Sequence, residues 1–146
     1  MEGVHDTAEK YLSINTGDTC SFQREITEQM IASFAELSGD YNPVHMDNGY
    51  CLEHGIGSRI THGMLVLSFV STLIGMHLPG KGAVWLSQSF DFISPARVGD
   101  VLTITGRVLE KNSNNSLGLG VITMKVSVTN QNKALIVRGT VKVLLK

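Results

Sequence analysis

Charged residues are scarce in this chain. They make up 17% of its 146 residues and nearly cancel, leaving a net charge of −1. Without a basic excess, the chain lacks the electrostatic footprint of a nucleic-acid binder. There are 2 cysteines, Cys20 and Cys51, and neither sits in a CxxC arrangement. They form no disulfide framework and read as free thiols in a reducing compartment. No His, Cys, Asp or Glu set has metal-ligand spacing, so no metal is expected. Gly80-Lys81-Gly82 lacks the Walker spacing of a phosphate loop. The longest apolar run, Met64–Met76, falls short of the roughly 20 residues that span a bilayer. The first residues have neither a basic n-region nor an apolar h-region, so a cytoplasmic protein is expected. No repeat, low-complexity tract or linker divides the chain, and residues 1–146 read as one domain.

The hydrophobic content, 42%, falls into two periodicities. In the first half it is helical. Thr27-Glu28-Gln29-Met30 is an N-cap with an acidic first turn, Ile31, Phe34 and Ala35 follow at helical spacing, and Gly39 stops the run. Residues 1–19 are weakly patterned and read as a frayed terminus leading to a short strand near Thr19–Arg24. Residues 47–60, with Gly49, Gly55 and Gly57, suggest one short helical turn in irregular chain. Met64–Met76 is apolar nearly all round, broken only by Ser68, Ser71 and Thr72. Its length favours a helix over a buried strand, and such a helix must be covered on most sides. Gly75 and Pro79-Gly80 mark its end.

From Ala83 the period becomes two. Leu86, Gln88, Phe90 and Phe92 alternate with Trp85, Ser87, Ser89 and Asp91, and Leu102 and Ile104 with Thr103 and Thr105. Beyond an Asn112-Ser113-Asn114-Asn115 turn, Ile122, Met124, Val126 and Val128 keep the same period, as do Leu135, Val137, Val141 and Val143 later. These are half-buried antiparallel strands joined by polar turns. The fold class is therefore α+β, a curved antiparallel sheet wrapped around a long central hydrophobic helix. Gly106, Gly118, Gly120 and Gly139 are plausible kink points.

Between the two helices lies the stretch that suggests chemistry. Asp40 follows Gly39 at the negative end of a helix dipole, where a carboxylate is disfavoured. The turn Asn42-Pro43 then brings up His45. Thr61-His62-Gly63 opens the apolar helix, whose N-terminus offers free backbone N–H groups to an oxygen carrying partial negative charge. Acid, imidazole and amide donors together suggest a site. His5, His54 and His77 have no partner pattern and read as surface or packing residues.

These residues resemble a known family. Asp40-Tyr41-Asn42-Pro43-Val44-His45, with Asp47 beyond it and Ile60-Thr61-His62-Gly63-Met64 later, is similar to the hydratase 2 motif of the MaoC-like dehydratases. Leu78-Pro79-Gly80-Lys81-Gly82, Gln88-Ser89-Phe90, and Pro95 with Val98-Gly99-Asp100 continue the likeness. Cys51, Ile56 and Arg59 depart from the family's usual residues. The resemblance implies a single hot-dog domain and an (R)-specific enoyl-CoA hydratase, adding water across the trans-2 double bond of an enoyl thioester. It implies Asp40 and His45 as the pair holding the water, and Gly63 N–H as the oxyanion donor. Asn42 would hold the Asn42-Pro43 turn, His62 would support the turn that opens the apolar helix at Gly63, and Ser71 would stand near the pair. Tyr50, Leu52 and Ile56 would bound the acyl pocket, while Lys81 and Arg97 are candidate contacts for the carrier's phosphates. Coenzyme A would be part of the substrate, and no separate cofactor is implied. Acyl carrier protein is the other possible carrier, and a homodimer or higher homo-oligomer the default assembly.

Three rivals stand beside this reading. One is a (3R)-hydroxyacyl-carrier-protein dehydratase running the reaction backwards. Another is a hot-dog thioesterase, against which Met64–Met76 counts by carrying no Asp or Glu. The third is a non-catalytic acyl-thioester binding module, which would have no need of the acid–imidazole pair.

Overall fold

The computed structural model describes residues 2–113 and 120–145, with side chains from residue 8 onward. Asn114, Asn115 and Gly118 of the expected turn and kink lie outside the described residues. The chain opens with helix α1 (Glu2–Ser13), where a frayed terminus was expected. Its C-terminal carbonyls are held from a distance. Lys111 donates from Nζ to the carbonyls of Tyr11 (2.7 Å) and Ile14 (2.5 Å), and its ammonium lies 4.4 Å from the centre of the Tyr11 ring. A cation at a helix C-terminus satisfies orphan carbonyls and complements the dipole.

Strand β1 (Thr19–Glu25) leads to α2 (Glu28–Ser38). The cap reads as the sequence suggests: Met30 N–H donates to Thr27 Oγ1 at 3.2 Å. Gly39 ends the helix with φ +79°, its N–H donating to the Ala35 carbonyl at 2.8 Å. Two short helices follow, α3 (Pro43–Met46) and α4 (Asn48–Glu53). Asn42 and Asp47 cap them, and Pro43 occupies the first helical position, which needs no N–H. Only one such turn was expected, because Asn42-Pro43 by itself reads as a plain turn.

The apolar run forms α5 (Gly63–Thr72), which widens into a π turn over Leu73–His77 and so runs past Gly75. Five strands complete a sheet in the order β1-β3-β4-β5-β2, all neighbours antiparallel. The remaining strands are β2 (Ala83–Phe92), β3 (Val101–Ser113), β4 (Gly120–Thr129) and β5 (Leu135–Leu145). The core lies between sheet and helix. Val66, Val70, Leu73 and Ile74 meet Leu102, Ile104, Val108, Ile122, Met124, Val126, Val141 and Val143 there. Gly106 permits the contact: a Cβ on it would stand 2.7 Å from a Leu73 methyl and 2.8 Å from that of Met124. In this strand a missing side chain lets the helix close in.

The β2 pattern departs from simple alternation. A bulge between Trp85 and Ser87 leaves Leu86 without a partner and changes which residues share a face. Trp85 pairs with Val143 and Gln88 with Val141, so Trp85 joins Gln88, Phe90 and Phe92 on the helix side. Trp85 and Phe90 meet edge to face at 6.4 Å. The expectation that Trp85 shares a face with Ser87 is thereby corrected.

Candidate active site

The site is assembled from the α2–α3 turn and the entry to α5. Because Gly39 takes the left-handed conformation, the chain reverses after α2, and the Asp40 carboxylate folds back on its own backbone. Its Oδ1 accepts from Asn42 N–H at 3.1 Å, and Asn42 Oδ1 in turn accepts from Val44 N–H at 3.3 Å. Both are short-range side-chain to backbone bonds of the kind Asx residues make at turns. The second oxygen of Asp40, Oδ2, lies 3.8 Å from His45 Nε2.

His45 is fixed from the other side. Its Nδ1 lies 2.7 Å from the Ile60 carbonyl, which can only accept, so in the neutral ring Nδ1 carries the proton. The lone pair is then on Nε2, facing Asp40. Ile60 is itself held, its N–H donating to the Val44 carbonyl at 3.0 Å, and Thr61 N–H donates to the Ala96 carbonyl at 2.7 Å. His62, 2% exposed, donates from Nε2 to the backbone carbonyl of Asp40 at 3.0 Å. Its ring lies tilted against that of His45, with the centroids 4.0 Å apart. The buried imidazole thus ties the two halves of the site together.

Asp40, His45 and His62 offer donor atoms within 4.8 Å of one another, a set that the linear spacing did not reveal. The two rings lie 30° from parallel. His62 also commits Nε2 to Asp40.

Gly63 is the first residue of α5, and among the described residues its N–H has no acceptor. It borders two clefts. One, of about 440 Å³, is lined by His45, Ile60, Thr61, Val66, Phe92, Ile93, Pro95, Ala96 and Ile136 as well as Gly63. The other, of about 280 Å³, holds Asp40 and His62 beside Phe34, Ser38, Met64 and Phe92. A water about 2.8 Å from both Oδ2 and Nε2 fits their 3.8 Å separation. Such a water has a carboxylate to orient it, a lone pair to take its proton, and an amide donor nearby for developing negative charge.

The other expected residues fall elsewhere. Tyr50, Leu52 and Ile56 line neither cleft; Tyr50 stacks on His54 at 4.0 Å and Leu52 is 69% exposed. The walls come instead from Ile60, Val66, Phe92 and Ile136. Ser71 lies in a neighbouring groove with Met64, Leu67, Trp85 and Gln88. Arg97 spends its guanidinium on the loop before the site. Nη2 donates to the Ile56 carbonyl at 3.0 Å, and Nη1 to the Ser58 carbonyl and hydroxyl. Lys81 follows the far end of the helical segment that Gly63 opens and His77 closes. Cys51 is buried with Sγ toward the carbonyls of Pro43 and Val44, and Arg59 pairs with Glu28. The Ile60 carbonyl leaves no trace in the sequence, and Phe92 showed there only as one member of an alternating strand.

A sheet that curls around one buried helix in this way is a hot-dog domain. The chain superimposes with a TM-score of 0.84 on the (R)-hydratase from Aeromonas caviae involved in PHA biosynthesis, at 33% identity and over 92% of this chain and 98% of that one. The family model described as the MaoC-like domain matches residues 13–132, and the chain belongs to that family. It is 41% identical over 102 residues to an (R)-specific enoyl-CoA hydratase of Rhodospirillum rubrum, covering 67% of this chain and 71% of that protein. It is also 35% identical over 97 residues to a 3-hydroxybutyryl-CoA dehydratase of Methylorubrum extorquens, covering 66% of this chain and 62% of that protein's length.

Proposed function

We propose that the protein is a hydro-lyase that reversibly hydrates trans-2-enoyl-CoA to (R)-3-hydroxyacyl-CoA. The observation that carries this reading is the orientation of His45. An imidazole anchored through Nδ1 to the Ile60 carbonyl, with Nε2 at 3.8 Å from Asp40 Oδ2, is poised to take a proton from a water held between them. The water oxygen bonds to C3 as Nε2 takes its proton. The π electrons move toward the thioester oxygen, which Gly63 N–H receives as it becomes enolate-like. C2 then gains a proton from the Asp40–His45 pair on the same face, so H and OH are both accounted for. The relatives' names supply the thioester, the carrier and the (R) hand.

The same reading makes the protein a homodimer joined along β2, at work in the cytoplasm. Supply of (R)-3-hydroxyacyl units to polyhydroxyalkanoate is one setting that fits the Aeromonas relative. Mixing the protein with trans-2-butenoyl-CoA and following the loss of enoyl absorbance tests the assignment. Turnover by the wild type, lost in folded Asp40→Ala and His45→Ala variants, with the (R) product on chiral analysis, is the result expected. Turnover only with enoyl-carrier-protein substrates would shift the assignment to the carrier-protein dehydratase, and binding without turnover would leave an acyl-thioester binding module.

A further inference from the structure

The ring of Phe92 occupies a position that the reaction as proposed does not use. Phe92 closes β2, is 55% exposed, and borders both the His45 cleft and the Asp40 cleft. It lies directly on Gly63: a Cβ there would stand 2.7 Å from Phe92 Cε1, 2.9 Å from Cζ and 3.3 Å from Cδ1. In a helix the Cα–Cβ direction tilts toward the N-terminus, the direction in which the free N–H of the first residue also points. The ring therefore flanks the approach to the Gly63 N–H. A carbonyl that accepts from this N–H brings the carbon beside it, C2 of the acyl group, alongside the phenyl edge.

We propose that Phe92 is a specificity-determining residue which excludes acyl groups branched at C2. The inference rests on the reading of Gly63 as the thioester's donor. A straight chain passes the ring edge as a flat enoyl unit, whereas a methyl on C2 projects into the volume that the ring fills. Chain length is a different matter, because atoms beyond C4 have passed the ring. Truncating Phe92 should therefore alter tolerance for branching without altering tolerance for length.

The test compares hydration of trans-2-butenoyl-CoA, trans-2-octenoyl-CoA and 2-methyl-trans-2-butenoyl-CoA by wild type, Phe92→Ala and Phe92→Leu. Phe92→Ala should raise kcat/KM for the branched substrate relative to butenoyl-CoA at least tenfold, with Phe92→Leu between it and wild type. The octenoyl-to-butenoyl ratio should move less than twofold. Phe92→Leu decides the matter by itself if the alanine variant does not fold. Wild-type turnover with an unchanged branched ratio overturns this inference and leaves the hydratase reading standing. A shift of equal size in both ratios also overturns it, since general loosening of the site would do that. If the wild type turns over none of the three, the hydratase reading falls, and calorimetry with butanoyl-CoA and 2-methylpropanoyl-CoA takes over. A tenfold gain in relative affinity for the branched thioester on truncation then upholds the role of Phe92, while no gain or no binding overturns it.

Discussion

An imidazole has two nitrogens, and the site spends one of those of His45 on the Ile60 carbonyl at 2.7 Å. The residue's orientation and its chemistry can therefore be separated by substitution. Asparagine places an amide N–H near the position of Nδ1 and has nothing at Nε2. His45→Asn should keep the bond to Ile60 and the thermal midpoint of the wild type while losing about 100- to 10,000-fold in kcat. His45→Ala should lose as much activity and also about 1–3 kcal/mol of stability, because the part-buried carbonyl of Ile60 is left without its donor. Kinetics on enoyl-CoA beside thermal unfolding checks both; equal midpoints in the two variants would show that the anchor contributes nothing to stability. Gly63 gives a second residue-scale prediction. The nearest atoms that an Ala Cβ at 63 meets belong to the ring of Phe92, at 2.7 Å, so the ring must be displaced to admit it. Gly63→Ala should fold with a loss of about 1–3 kcal/mol, the cost of moving that ring. Adding Phe92→Ala should recover most of that loss, an interaction that denaturant unfolding of the two single variants and the double variant measures.

At the scale of elements, the two central-sheet glycines make contrasting predictions. A Cβ on Gly106 meets side-chain tips, at 2.7 Å from Leu73 and 2.8 Å from Met124. A Cβ on Gly139 meets backbone, 2.0 Å from the Ser89 carbonyl oxygen in the paired edge strand. Side chains can yield and a ladder cannot, so Gly106→Ala should cost about 1 kcal/mol and Gly139→Ala about 3 kcal/mol or more. Urea unfolding of the two variants reads the difference, and equal costs would mean that β2 moves off β5 as easily as a methyl moves aside. The same elements show what was legible in the sequence. Thr27 and Gly39 declare the ends of α2 because capping is local, and α5 and the alternating strands declare themselves by period. Three features were hidden for stated reasons. Helix α1 is fastened by Lys111, about a hundred residues away, which no window along the chain detects. The β2 bulge moves Trp85 to the other face without any Gly to announce it. Helix α3 carries a readable signal, Asn at the cap and Pro at the first position, which a turn reading of Asn42-Pro43 obscures. Within the site, Asp40, His45 and Gly63 could be named in advance because they lie in short motifs. Its walls could not, since Ile60, Phe92 and Ile136 come together only when the sheet closes.

For the whole molecule, one surface is left unfinished. The sequence demands that Met64–Met76 be covered on most sides, yet Met64 is 62% and Met76 76% exposed. The open groove that Met64 borders, lined also by Phe34, Leu67, Ser71, Trp85 and Gln88, runs to β2. The two edges of the sheet differ. Strand β1 presents the polar Thr19, Ser21 and Gln23 and ends in the charged pair Arg24 and Glu25, and charge discourages edge pairing, whereas β2 leaves Val84 and Leu86 each 46% exposed. An apolar edge next to an uncovered helix face fits a second copy related by a two-fold axis, because one symmetric contact then buries both edges and both grooves. The protein is accordingly expected to sediment at twice its chain mass at micromolar concentration. A lysine at Leu86, exposed at the β2 bulge, would bring a like charge from each copy into such a contact, and like charges brought together oppose pairing. Leu86→Lys should therefore weaken association at least tenfold in sedimentation equilibrium without loss of the fold by circular dichroism. A wild type that stays monomeric would leave the groove of α5 to be covered by something other than this chain, and a Leu86→Lys variant that dimerises as tightly as the wild type would place the contact between copies away from Leu86.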